Sequence, residues 1–102
     1  MSGFYPIFLR VKNKRCVVVG GGEVADRKVR SLLEHEAKVE VVSAAVCPEL
    51  AQLAAEGRVH HCRRRYKQGD LAGAVLAIAA TDDPAINAEV ADEGRGLSLI
   101  HI

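Results

Sequence analysis

Apolar positions along the chain switch between two spacings, unbroken runs suited to strands and a three-to-four-residue recurrence suited to helices. Phe4-Tyr5-Pro6-Ile7-Phe8-Leu9 predicts a short edge strand, since Pro6 cannot donate to a central ladder, and Lys12-Asn13-Lys14-Arg15 predicts a turn. Arg15 to Val19 is β-branched and almost wholly apolar, as in a parallel strand covered on both faces. From Glu23 to Glu36, Val24, Ala25, Val29, Leu32 and Leu33 recur at helical spacing, with Asp26, Arg27, Lys28, Arg30 and Glu34 on the outer face. Lys38 to Val42 reads as the next strand. Pro48 opens a second helix that runs to about Glu56 and stops at Gly57. Val59 to Cys62 is a short strand and Leu71 to Gly73 a turn of helix. Val75 to Ala80 is another buried strand, and a helix follows from Pro84 through Glu93.

Strand alternating with helix argues for an α/β domain, a Rossmann-like doubly wound parallel sheet. Its most informative point is the corner Gly20-Gly21-Gly22-Glu23-Val24-Ala25, set between a predicted strand and a predicted helix. In the Gly-x-Gly-x-x-Ala pattern, Gly20 permits the tight turn, Gly22 lets backbone approach a pyrophosphate and Ala25 keeps the helix close to the sheet. The helix N-terminus then offers unpaired N–H groups and a partial positive charge to an anion.

The 102 residues suit one domain, and 49% hydrophobic content is enough for a core. A net charge of +1 gives no reason to expect nucleic acid or a membrane surface as partner. Cys16, Cys47 and Cys62 are odd in number and widely spaced, which predicts reduced thiols and a cytoplasmic setting. No apolar stretch approaches the roughly 20 residues needed to span a bilayer, so the chain reads as soluble. Leu97-Ser98-Leu99-Ile100-His101-Ile102 has two readings, an apolar strand or the translation of a transposon-derived sequencing adapter. We take residues 1–96 as an incomplete, C-terminally truncated dinucleotide-binding domain and 97–102 as a non-native tail.

Several side chains carry candidate chemistry. Ser43 stands at the end of the second strand, where such folds often place a carboxylate for the adenosine ribose. A serine can bond the ribose or close a turn, and it leaves the choice between NAD and NADP open. Thr81-Asp82-Asp83 follows a buried strand at the end where parallel sheets expose their ligand crevice, although either aspartate can instead cap the helix beginning at Pro84. His60-His61-Cys62 hints at a metal, but neighbours in a strand face opposite sides and no third ligand is evident. Arg63-Arg64-Arg65-Tyr66-Lys67 reads as a solvated loop, with attraction of a polycarboxylate or phosphate as the alternative. Arg27 and Lys28 read as surface residues.

Taken together, Tyr5-Pro6-Ile7-Phe8-Leu9, Cys16-Val17-Val18-Val19, Gly20-Gly21-Gly22-Glu23-Val24-Ala25-Asp26-Arg27-Lys28 and Ala79-Ala80-Thr81-Asp82-Asp83 resemble the siroheme synthase N-terminal domain family. The resemblance implies a parent enzyme that oxidises precorrin-2 to sirohydrochlorin with NAD. Insertion of ferrous iron and a homodimer are also implied for the parent. By the same resemblance Glu23 and Val24 approach the dinucleotide at the glycine turn, Ala44 and Ala45 line the adenosine side, and Thr81 and Asp82 border the nicotinamide side. The family's catalytic aspartate is expected in an Asn-Val-Val-Asp-like segment beyond residue 102, so no residue here is assigned catalysis and the fragment alone is expected to be inactive. The competing functional class is a regulatory module that senses a dinucleotide without chemistry.

Overall fold

The computed structural model describes residues 9–97 and 100–101. The predicted edge strand at Phe4 to Leu9 lies almost wholly outside them. The described elements are β1 (Arg15–Val19), α1 (Glu23–Glu34), β2 (Lys38–Val42), α2 (Pro48–Ala55), β3 (His60–Cys62), β4 (Leu76–Ala79), α3 (Pro84–Gly96) and β5 (Ile100–His101). They form one sheet in the order β3-β2-β1-β4-β5, parallel throughout. The α/β, Rossmann-like reading holds. Strand order reverses between β1 and β4, which is where ligand crevices open in such sheets.

β1 shows why its sequence is apolar without alternation. Cys16 and Val18 enter one core cluster with Ala25, Val29 and Leu32 of α1 and with Leu50 and Leu53 of α2. Val17 and Val19 enter a second cluster on the opposite face with Tyr66, Leu71 and Val90. From Cys16 to Val19, burial on both sides leaves no position for a polar residue. It also pushes the Cys16 thiol pKa up.

Element ends differ from the sequence reading by one to three residues. α1 stops at Glu34 instead of Glu36 because the chain closes a Schellman turn: Ala37 N–H donates to Leu32 C=O at 3.1 Å and Glu36 N–H to Leu33 C=O at 3.0 Å. Glu36 takes the left-handed position, with φ 63°. α2 ends in the same way at Gly57, with Arg58 N–H bonded to Leu53 C=O at 3.0 Å. α3 runs three residues past Glu93 to Gly96. Val24, placed by periodicity on the sheet-facing stripe, is 46% exposed, whereas Ala25 beside it in the same turn is fully buried against β1. The segment 97–102 contributes the two-residue strand β5, with Leu76 opposite Ile100 and Ala77 opposite His101.

Candidate functional site

β1 delivers the chain to Gly20 at the carboxyl end of the sheet, and the bend there is fixed from three sides. Gly20 N–H donates to Val42 C=O at 3.0 Å, Ala80 N–H to Val19 C=O at 2.8 Å, and Cys47 N–H to Gly21 C=O at 2.7 Å. The ends of β2 and β4 and the start of α2 therefore press against the corner. Gly20 has φ +134°, and a Cβ there would lie 2.3 Å from Ala80 O. A Cβ on Gly21 would lie 2.0 Å from Ala45 O and 2.8 Å from Ser43 Oγ. Gly22 differs, because a Cβ added to it meets nothing within 4 Å. Two glycines are demanded by the protein itself, and the third faces open space.

That space is a cavity of about 610 Å³, within the usual range for small-molecule sites. Gly20, Gly21, Gly22, Glu23 and Val24 line it from the corner, Ser43 and Ala44 from the end of β2, and Thr81 and Asp82 from the end of β4. Ala25 and Ala45 do not line it. Ala25 is fully buried behind the corner, where it lets α1 pack on the sheet, and Ala45 is exposed beyond the rim. Gly22 is the N-cap of α1 and brings no side chain to cap the first turn. The first-turn N–H groups are thus available to an anion.

Ser43 donates its hydroxyl hydrogen to Ala45 C=O at 2.6 Å. The turn reading of Ser43 is realised, with the oxygen lone pairs still accessible to a ligand. Asp83 caps α3 by accepting from Ala85 N–H at 2.9 Å, and Asp82 stays exposed on the cavity wall. Thr81 is held by Asn87, whose side chain accepts from Thr81 Oγ1 at 2.7 Å and donates to Thr81 C=O at 3.1 Å. Nothing in the local sequence marks Asn87; only the first turn of α3 folding back over the end of β4 does.

The arginine loop departs most from expectation. Tyr66 is buried, and Arg64 is bound to Asp70, whose side chain is itself buried. Arg65, Tyr66 and Ile86 join the cavity wall. Arg65 and Tyr66 belong to the run whose alternative reading was attraction of a phosphate or polycarboxylate, whereas Ile86 carried no sequence signal, because its approach depends on how the 63–70 loop crosses to α3. His60 Nε2 lies 3.7 Å from Glu40 Oε2, and His61 Nε2 lies 2.8 Å from Ser43 O. Among the described residues no three His, Cys, Asp or Glu side chains gather as a metal site.

A family model described as "Putative NAD(P)-binding" matches residues 7–100. The chain belongs to this NAD(P)-binding family. It is 48% identical over 89 residues to the siroheme synthase of Thioalkalivibrio sulfidiphilus, covering 87% of this chain and 18% of that protein. It is 49% identical over 96 residues to the siroheme synthase of Chromobacterium violaceum, covering 92% of this chain and 20% of that protein. The chain therefore spans about a fifth of the length of these curated relatives, in their N-terminal part. Among solved structures it is similar to SirC, precorrin-2 dehydrogenase, with a TM-score of 0.83 and 28% identity, covering 97% of this chain and 49% of that one. No helix of the described residues is long and apolar enough to cross a membrane.

Proposed function

We propose that the chain is the NAD-binding part of a precorrin-2 dehydrogenase of siroheme synthesis, working in the cytoplasm as part of a homodimeric parent. Its similarity to siroheme synthases and to SirC supports that substrate. NAD, when bound, supplies the hydride acceptor for oxidation of precorrin-2 to sirohydrochlorin. Insertion of ferrous iron is proposed for the parent alone.

The carrying observation is the open face of Gly22 beside an uncapped helix N-terminus. In this reading Gly20 and Gly21 shape the bend, and the backbone at Gly22, Glu23 and Val24 receives the pyrophosphate. Ala25 sets the helix against the sheet. Ser43, Ala44 and Ala45 take the adenosine half, and Thr81 and Asp82 flank the nicotinamide half. The protein's part is orientation: a rigid crevice fixes the acceptor carbon with respect to the tetrapyrrole.

Calorimetric titration of the chain with NAD tests this reading, together with Gly22→Val. Heat is expected from the wild type and not from the variant, whose side chain would occupy the pyrophosphate's place. Equal affinity in both would place the nucleotide elsewhere.

A further inference from the structure

The glycine corner offers backbone N–H groups but no cationic side chain, and two carboxylates, Glu23 and Asp82, line the same cavity. Among the described residues Arg65 is the one cationic side chain on its wall. We infer that Arg65 pairs with a phosphate of the dinucleotide. The inference rests on the dinucleotide reading of the cavity and adds a specific side chain to it.

Its two neighbours are fixed while its own side chain is not. Arg64 bonds both oxygens of Asp70, and Tyr66 is buried with its hydroxyl bonded to Glu93. Arg65 itself is exposed, and among the described residues no carboxylate lies within 4.0 Å of its guanidinium. It also borders a smaller hollow shared with Glu89. A guanidinium on an immobilised backbone, without an ion-pair partner and facing a cavity, is suited to two oxygens of one phosphate. The end of β2 adds a second argument. With Ser43 in place of a carboxylate, nothing there competes for Arg65 or repels a 2′-phosphate.

The phosphate has two possible sources, the bridging pyrophosphate and the 2′-phosphate of NADP. Titrations of the full chain with NAD, NADP and adenosine separate them, using Arg65→Ala, Arg65→Gln, Arg65→Lys and, as control, the exposed neighbour in Arg63→Ala. If the bridge is the partner, Arg65→Ala and Arg65→Gln weaken NAD and NADP alike by about tenfold. If the 2′-phosphate is, only NADP weakens. In both cases Arg65→Lys recovers part of the loss, while adenosine binding and Arg63→Ala stay at wild-type levels. The inference is overturned if both nucleotides stay within about twofold of wild type, or if adenosine is lost as fully as NAD. A wild-type chain that binds neither nucleotide overturns the dinucleotide reading itself.

Discussion

Arg64 grips Asp70 through two parallel bonds, Nη1 to Oδ2 at 2.8 Å and Nη2 to Oδ1 at 2.5 Å. The same carboxylate accepts Lys67 N–H at 2.8 Å, so one aspartate closes the loop that begins at Arg64. Arg15 reaches the loop from β1 and donates to the carbonyls of Asp70 at 2.9 Å and Ala72 at 2.6 Å. The run of arginines is thus divided by function, with Arg64 holding the loop and Arg65 released to the cavity.

The ion pair makes stability depend on acid. The side-chain hydrogen bond from Arg64 holds the Asp70 pKa below the usual carboxylate value, against the opposing effect of burial. A depressed folded-state pKa gives stability that is present above the unfolded value, about 4, and lost as pH falls through the folded one. Asp70→Asn is therefore expected to lower Tm at pH 7 and to converge with wild type below pH 4. Thermal melts across pH 2–7 check this, and parallel curves for the two proteins would contradict it.

The three corner glycines are expected to separate into two classes. Gly21→Ala drives a Cβ against the Ala45 carbonyl, which is backbone and cannot swing away. It should cost roughly 1–3 kcal/mol. Gly22→Ala adds its methyl to open space at φ −98°, ψ −159°, a conformation any residue adopts. Its cost should stay below about 1 kcal/mol, the preference of an N-cap for glycine over alanine. Urea unfolding of both variants measures the contrast, and equal losses would mean that the corner is packed differently.

Much of this was legible because local chemistry and tertiary role coincide. Val17 and Val18 announce a strand buried on both faces, Gly57 and Pro84 mark helix ends, and the spacing Gly20, Gly22, Ala25 names the phosphate corner before any fold is drawn. Legibility fails where a role depends on how an irregular loop or turn closes on itself. Nothing near Asp70 in the sequence says that Arg64 and Lys67 will converge on it, and Asn87 gains its meaning from Thr81 across a turn. Val24 was assigned to the core because periodicity reports which face of a helix a residue occupies. It cannot report that in the first turn Ala25 takes the buried position while Val24 lines the cavity.

α1 ends on a residue poorly suited to its conformation. Glu36 occupies the left-handed C′ position at φ 63°, where glycine is favoured because it has no Cβ to clash with the backbone. Its ion pair with Lys12, at 3.7 Å between exposed groups, contributes little. Glu36→Gly should raise stability by about 1 kcal/mol. Chemical denaturation would show a higher midpoint with an unchanged m-value, and a lower midpoint would refute the assignment.

Tyr66 ties the loop to α3. Its hydroxyl donates to Glu93 Oε1, while Oε2 of the same carboxylate accepts Gly69 N–H at 3.0 Å and Leu71 N–H at 3.2 Å. Burial, reinforced by that hydrogen bond, pushes the Tyr66 pKa well above the ordinary tyrosine value. A raised folded-state pKa contributes stability that is present below the unfolded value, about 10, and lost as pH climbs through the folded one. Tyr66→Phe leaves Oε1 of Glu93 without its donor and should cost about 1–2 kcal/mol at neutral pH. An absorbance titration in alkali should show a late tyrosinate rise in the wild type that coincides with unfolding and disappears in the variant. Ionisation of Tyr66 near pH 10 with the fold intact would show that the hydroxyl is solvated and that α3 is held to the loop by other contacts.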